Sequence, residues 1–536
     1  MGNRDLRDWI GGVRAAGELK VITGAEPKEE IGGIVDIYMR KMGNPAVLFD
    51  EVPGFPKGHR VIANILTSIP RVNLALGLPP ETAEMQQIQW WRNYFKNAPS
   101  EPTKAVNGGP LLDNVFAGAD VDIEKIPTPV WHEHDGGPYI GTGCLVAMKD
   151  PDSGWINYGC YRVQSHEANV ASVMMSPGKH GLIIMRKYHE RGEPCPVAVV
   201  AGMHPVLVML GGIEIPYGKN ELEAAGGILG EPIEVINMPK TGLPVPANAE
   251  IAFEGLIHPD DRIKEGPLGE WTGYYASGSD LEPAIRIDTL MYRDDPILVG
   301  AIPAVPPNDN TFYFGSYRCG AVWNQLEAAG IPGVQGVWTH EAGGSRFMLV
   351  ISIKTLYGGH SKQAAMVASH CHAGAYNNRW TIVVDDDPTN FSARPDVLRH
   401  RDRPAQFAGD HRRLHPVPAQ EDLPGHRPFE QGARRPPTRK VGEGFAEGVL
   451  IPRGGKRHDD LGRPRRIALR RSRGGPCQHR RAQQRRGSQA RSAKHHRSCY
   501  LTAPPVMPLM KRSRKRLYAI ATGTLAISAA PMSSPQ

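Results

Sequence analysis

The 536 residues are 40% hydrophobic and 22% charged, a globular composition long enough for two or three domains and a sizeable core. The net charge of +8 is segregated: residues 1–390 hold 31 Lys and Arg against 45 Asp and Glu, a net −14, and the remaining 146 hold 32 against 10, a net +22. Seven cysteines without a CxxC pair argue against a disulfide framework or zinc ribbon and suit a reducing cytoplasm, and the charged start MGNRDLRDWI lacks the apolar run of a secretory signal.

Along residues 1–114, an amphipathic stretch from Asp5 to Ala16 predicts a helix, AVLFDEVPG and HRVIANILT predict short strands, and ETAEMQQIQWWRNYFKNA predicts a second helix. This is an N-terminal α/β domain. From 115 to 300 short β-rich runs alternate with Gly, Pro and Asn turns: GTGCLVAMKD, WINYGCYRVQ, HGLIIMRKYHE, CPVAVVAGMHPVLVML, EPIEVINMPK, AEIAFEGLI, AIRIDTLMYRD and DPILVGAIP. Strands at that spacing predict a barrel or sandwich, interrupted by one helix at NELEAAGGILG. Residues 301–390 return to α/β character, with helices at CGAVWNQLEAAG and HSKQAAMVASHCHAGA and strands at RFMLVISIK and RWTIVVDDD.

Past residue 390 the text becomes rich in Arg, Pro, Gly, His and Gln, with neither helical nor strand period. This basic, low-order tail (391–536) reads either as a nucleic-acid-binding arm or as a coding sequence translated in a shifted frame. Its near-absence of aromatics favours the second and makes nucleic acid an unfavoured partner. Its longest apolar run, LYAIATGTLAISAA, has about 14 residues, short of the ~20 that span a bilayer, so no membrane anchorage is expected.

Four clusters could carry chemistry. WINYGCYR holds Asn157 and Arg162, SPGKHG holds Lys179 and His180, KNELEAAGG puts Glu221 at a helix start, and KEGPLGEWTGYY sets Glu265 and Glu270 five apart in a glycine-rich turn. Each alone also reads as a turn residue, a structural histidine, a first-turn acid or a hairpin tip. Together an amide oxygen, an imidazole and a carboxylate suit a divalent ion such as Mn²⁺ or Mg²⁺, with shell positions left for a phosphate. Arg162 is a fixed cation for Glu265 or a substrate carboxylate, and an acid among large aromatics has its pKa raised toward proton donation. HCH (370–372) is discounted as a chelate, because i and i+2 on a helix face apart.

In these segments, and in GKHGLIIMR, NELEAAGGILGEPIEVI, PANAEIAFEGLI, EGPLGEWTGYY and WTIVVDDD, residues 1–387 resemble the UbiD-like decarboxylases that use prenylated FMN. The resemblance implies a central split β-barrel of flavin-reductase type that holds the cofactor, between two α/β portions. It implies that Asn157, His180 and Glu221 hold Mn²⁺ against the flavin phosphate, with K⁺ near Trp155 and Glu221. Residues 157–162 (Asn157, Tyr158, Gly159, Cys160, Tyr161, Arg162) and Lys179 fall to the cofactor, as does His372, which stands about where some members place a phosphate-binding lysine. Arg162, Glu265 and Glu270 match a Glu–Arg–Glu network with Glu270 as proton donor. The implied reaction is reversible, non-oxidative decarboxylation of an aromatic, heteroaromatic or α,β-unsaturated acid, and a flavin prenyltransferase would supply the cofactor. The family is expected to form homo-oligomers. Here the text after WTIVVDDD departs from its pattern, which puts dimer formation in question and leaves a catalytically impaired member as the alternative. Leu268 stands where Phe is usual. His340, in WTHEAGGSR, reads either as a residue near the substrate ring or as a structural histidine.

Overall fold

The computed structural model describes residues 5–40, 44–213, 215–375 and 377–385, together with the strands Arg516–Ile520 and Thr524–Ser528. The basic stretch 391–515, on which the two readings of the tail rest, lies outside the described residues. The two tail strands pair antiparallel within the late apolar run. Among the described residues no helix is long and apolar enough to cross a membrane.

The chain opens on the helix Leu6–Ala15, where Asp5 accepts from the Asp8 amide and Leu6, Trp9, Ile10 and Val13 bury one face at helical spacing. Strands Leu19–Thr23, Ala46–Asp50 and Arg60–Ala63 follow in one sheet. Its fourth strand comes from far along the chain: Ile297–Val299, the DPILVGAIP run assigned by sequence to the barrel segment, pairs in parallel with Arg60–Ala63.

The central sheet is antiparallel throughout. Its path runs Ile156–Gly159, Leu145–Lys149, Cys195–Val200, Ile251–Ile257, Asp280–Tyr292, Val170–Met174, Arg162–Glu167, and Arg262–Glu265 and Asn114–Ala117 add to the long strand Asp280–Tyr292. The two edges of that path are consecutive in sequence, joined only by Cys160 and Tyr161. Three Cα–Cα steps span at most about 11 Å, so the sheet must curl until its edges nearly meet. No ladder joins them, and the expected barrel is therefore an open, curled sheet rather than a closed one. A third sheet, Val334–Thr339, Met348–Ile353 and Trp380–Asp385, is covered by the helices Asp309–Ala328 and His360–His370.

Two stretches expected as strands are helices. HGLIIMRKYHE forms the helix His180–Glu190, whose buried Gly181, Ile184 and Met185 keep helical spacing that a short apolar run conceals. Pro205–Gly212 is helical because Pro205 occupies its first turn and His204 Nδ1 accepts the Val206 amide; all of residues 205–210 are buried, leaving no period to read. The HCH stretch is not one helix: the first helix ends at His370, and Cys371 is extended.

Candidate active site

Arg162 begins one edge strand of the curled sheet, Glu265 ends Arg262–Glu265, and Glu270 lies on the turn that follows. Arg162 Nη2 donates to Glu265 Oε2 at 2.7 Å, and Nη1 lies 3.5 Å from Glu270 Oε1. Glu265 is 1% exposed, and its second oxygen accepts from the Tyr139 hydroxyl at 2.7 Å. With both oxygens engaged, Glu265 is an anchor. Burial pushes the Glu270 carboxyl above its ordinary value; Arg162 and Arg346 oppose this, and the Glu265 charge reinforces it. Of the two acids, Glu270 is the one suited to hold and release a proton.

The turn between them is pinned from several sides. Gly266, at φ +82°, lets the chain leave the strand, and its amide donates to Gln164 Oε1 at 2.9 Å. Asp135 Oδ1 accepts from the Gly269 amide and the Tyr275 hydroxyl, and the Glu270 amide donates to the Tyr274 carbonyl. The sequence pattern showed neither Tyr139 nor Asp135. Nothing local marks GGPYIG or WHEHD as part of a site, since their partners are remote in sequence.

The candidate metal residues are tied together indirectly. Asn157 Nδ2 donates to the Tyr161 hydroxyl at 3.2 Å, and so does the Gly181 amide, next to His180, at 2.9 Å. Glu221, first residue of the helix Glu221–Leu229 and 4% exposed, accepts the Tyr158 amide at 3.0 Å. The His180 ring packs edge-on against Trp155 and Tyr217, each with centroids 5.3 Å apart, and Trp155 Nε1 donates to the Lys219 carbonyl. Among the described residues no three His, Cys, Asp or Glu side chains form a metal-holding cluster; the set here has two such residues and an asparagine. It fits a cation on one observation: burial raises the Glu221 carboxyl to about 8, opposed only by the backbone amides of Tyr158 and Glu221. A buried carboxyl of this kind gains from a bound cation.

A cavity of about 280 Å³ lies beside the acids; Cys160, Tyr161, Arg162, Lys179, Leu268 and Glu270 line it, whereas Asn157, His180, Glu221 and Trp155 lie outside its lining. Arg162 Nε is buried without a hydrogen bond, an orphaned donor beside the cavity that a bound group would satisfy. Cys160 is no nucleophile, because burial drives its thiol well above the ordinary value. Other expected cofactor contacts fall elsewhere. Tyr158 belongs to the core, with its hydroxyl on the Pro244 carbonyl, and Gly159 packs so closely on the Tyr161 ring that a Cβ would sit 2.4 Å from it. His372 is exposed and outside the cavity lining, since the helix breaks before it. His340 is a capping residue: its Nδ1 accepts the Ala342 amide at 3.1 Å, and it too lies outside the lining. In its place the same loop brings Arg346 to the cavity.

Known proteins match this arrangement along most of its length. Models of the 3-octaprenyl-4-hydroxybenzoate carboxy-lyase match in three parts: the N-terminal domain at residues 10–89, the Rift-related domain at 104–306 and the C-terminal domain at 313–420. The last runs on past residue 387, where the resemblance read from the sequence stops. The chain is 31% identical over 362 residues to a pyrrole-2-carboxylic acid decarboxylase of Pseudomonas aeruginosa, covering 66% of this chain and 72% of that protein. It is 31% identical over 405 residues to a phenolic acid decarboxylase of a Streptomyces species, covering 74% and 83%. Among solved structures, the vanillic acid decarboxylase of Sedimentibacter hydroxybenzoicus in its open form superposes with a TM-score of 0.66 at 25% identity, over 74% of this chain and 83% of that one. An evolved dimeric form of the UbiD-class enzyme HmfF from Pelotomaculum thermopropionicum, in complex with prenylated FMN, gives 0.65 at 26%, over 74% and 88%. The chain belongs to the UbiD family of carboxy-lyases.

Proposed function

We propose that this protein decarboxylates an aromatic or heteroaromatic carboxylic acid with prenylated FMN as cofactor, α,β-unsaturated acids falling within the same reading. The observation that carries it is the row Glu265–Arg162–Glu270 beside a cavity that Arg162 and Glu270 line. Arg162, anchored by Glu265, orients an anionic carboxylate. The carbon–carbon bond to that carboxylate breaks, CO₂ leaves, and the bond pair returns to the ring carbon as that carbon is protonated. Glu270 delivers a proton to that carbon and regains one from water, which balances the reaction. The reverse carboxylation uses the same groups when CO₂ is abundant.

When bound, the prenylated flavin supplies the electron sink for that bond pair. Cys160, Tyr161 and Lys179 line the cavity it would enter, and Asn157, His180 and Glu221 would hold Mn²⁺ at its phosphate. K⁺ near Trp155 and Glu221, a flavin prenyltransferase as supplier and a homo-oligomeric assembly complete the proposal, resting on family likeness. A solved relative described in complex with prenylated FMN and curated relatives named for pyrrole-2-carboxylic and phenolic acids support it.

The test is coexpression with a flavin prenyltransferase. The purified chain is expected to carry the modified flavin and release CO₂ from pyrrole-2-carboxylate or a phenolic acid. Flavin-loaded protein that releases CO₂ from no pyrrole, phenolic or unsaturated acid would sink the reading.

A further inference from the structure

Tyr217 lies on the turn that precedes the helix Glu221–Leu229 and is 49% exposed. A side chain that open ordinarily changes rotamer freely. Here it is held at both ends. Its ring meets the His180 ring at an interplanar angle of 89°, with centroids 5.3 Å apart, and lies 4.4 Å from the Trp155 ring. Trp155 closes the triangle on His180 at 5.3 Å. At the other end the Tyr217 hydroxyl donates to Asp150 Oδ2 and accepts from Lys187 Nζ at 3.4 Å.

That anchor is itself fixed. Asp150 is buried, takes bonds from Lys187 Nζ at 2.7 and 3.0 Å, and accepts the Asp152 amide at 2.9 Å. Lys187 and His180 belong to one helix, His180–Glu190, seven residues apart. Seven residues make about two turns, so both lie on one face, about 10.5 Å apart along the axis. Long helical side chains lean toward the N-terminus, which brings the lysine ammonium back toward the hydroxyl. Tyr217 is thus a strap along that face, its ring at the first turn and its hydroxyl tied to the second. An imidazole that ligates a metal must present one nitrogen along a fixed line, so whatever restricts the rotation of its ring preorganises the site.

We propose that Tyr217 is a positioning residue for the divalent ion: its ring, tethered through the hydroxyl to Asp150 and Lys187, holds the His180 imidazole in the ligating orientation. This rests on the reading that Asn157, His180 and Glu221 hold Mn²⁺, and it adds a residue that acts through His180 without touching the ion.

Titration of Mn²⁺ into the metal-stripped full chain, with the free ion followed by electron paramagnetic resonance, tests it without turnover. Tyr217→Leu should weaken binding by roughly 10- to 100-fold, the usual loss when an outer partner of a metal-ligating histidine is removed. Tyr217→Phe keeps the ring and loses only the tether, so its affinity should fall between the two. Melting midpoints without metal should stay close to the parent's in both variants, which separates positioning from a loss of folding. Parental Mn²⁺ affinity in Tyr217→Leu would overturn the inference and leave the metal reading intact. Tyr217→Phe binding no better than Tyr217→Leu would overturn the role given to the ring. If the parent takes up no Mn²⁺, or if Asn157→Ala leaves its uptake unchanged, the metal reading falls and this inference with it.

Discussion

Tyr139 donates to Glu265 at 2.7 Å across 126 residues, capping the oxygen that Arg162 leaves open. The two contacts saturate a carboxylate that is 1% exposed. Replacing Tyr139 with Phe removes one donor and leaves a buried acceptor unpaired, at a cost of about 1–3 kcal/mol. Chemical denaturation of Tyr139→Phe should show that loss. Decarboxylation should fall as well, because Arg162 is then held by a less constrained partner. A variant as stable as the parent would show that Glu265 finds another donor.

The division of labour between the acids makes a sharper forecast. Glu270→Gln keeps the shape and removes the transferable proton, so turnover should drop by about 10²- to 10⁴-fold while flavin is retained. Full activity would refute the assigned role. The charged groups acting on Glu270 are Arg162 and Arg346, which lower its pKa, and Glu265, which raises it; burial raises it most. A proton donor must be protonated, so activity should decline as pH rises through this raised value. Glu265→Gln removes a raising charge and frees Arg162 to pull harder; both effects move the alkaline decline to lower pH. A shift toward higher pH in Glu265→Gln would contradict that electrostatic assignment.

Metal dependence can be read without turnover. If Asn157, His180 and Glu221 hold Mn²⁺, the ion at 100 times its dissociation constant stabilises the folded chain by about 2.7 kcal/mol. Chelation should remove that increment in a thermal melt, and Asn157→Ala or Glu221→Gln should abolish the response to added Mn²⁺. Glu221→Gln should cost little stability by itself, because it removes a buried carboxyl opposed only by two backbone amides. An unchanged Mn²⁺ response in both variants would assign the ion elsewhere.

Local chemistry in the sequence marked the acids and their arginine, since Glu265, Glu270 and Arg162 sit in stretches whose turn residues and aromatics are contiguous. It also marked the helix Leu6–Ala15, where a single apolar face has a readable period. It failed at Pro205–Gly212, where burial on all sides erases the period, and at His180–Glu190, where four apolar residues in a row suit either structure. Tyr139, Asp135 and Arg346 act on residues 126, 134 and 75 positions away, through tertiary contact that no local window contains. His372 lies outside the cavity lining, and His340 takes the structural one of its two readings, because a position beside the right motif does not fix which way a side chain turns.

His340 offers a check on that last point. Its ring accepts the Ala342 amide at the start of the turn Glu341–Gly343. His340→Ala should lose about 1 kcal/mol, the usual worth of a cap, and His340→Asn should recover it, since asparagine caps well. Both should keep the parent's preference among ring acids. A change of substrate preference in His340→Asn would instead place the imidazole at the ring.

The most economical probe of the cofactor end is a single methyl group. A Cβ on Gly181 would lie 2.6 Å from the Tyr161 ring and 2.9 Å from Met175 Sδ, both inside contact distance. Gly181 is a helical residue, so alanine suits its backbone; the obstruction is steric alone. Relief requires Tyr161 to move, and Tyr161 is the acceptor shared by the Gly181 amide and Asn157. Gly181→Ala should therefore weaken Mn²⁺ and flavin binding together while costing about 1–3 kcal/mol of stability from overpacking. Pairing it with Tyr161→Phe separates the causes. Phenylalanine removes the shared acceptor without crowding, so a common loss of Mn²⁺ binding in both variants identifies the hydroxyl relay as what orients Asn157 and His180. Loss in Gly181→Ala alone would trace the effect to displaced packing.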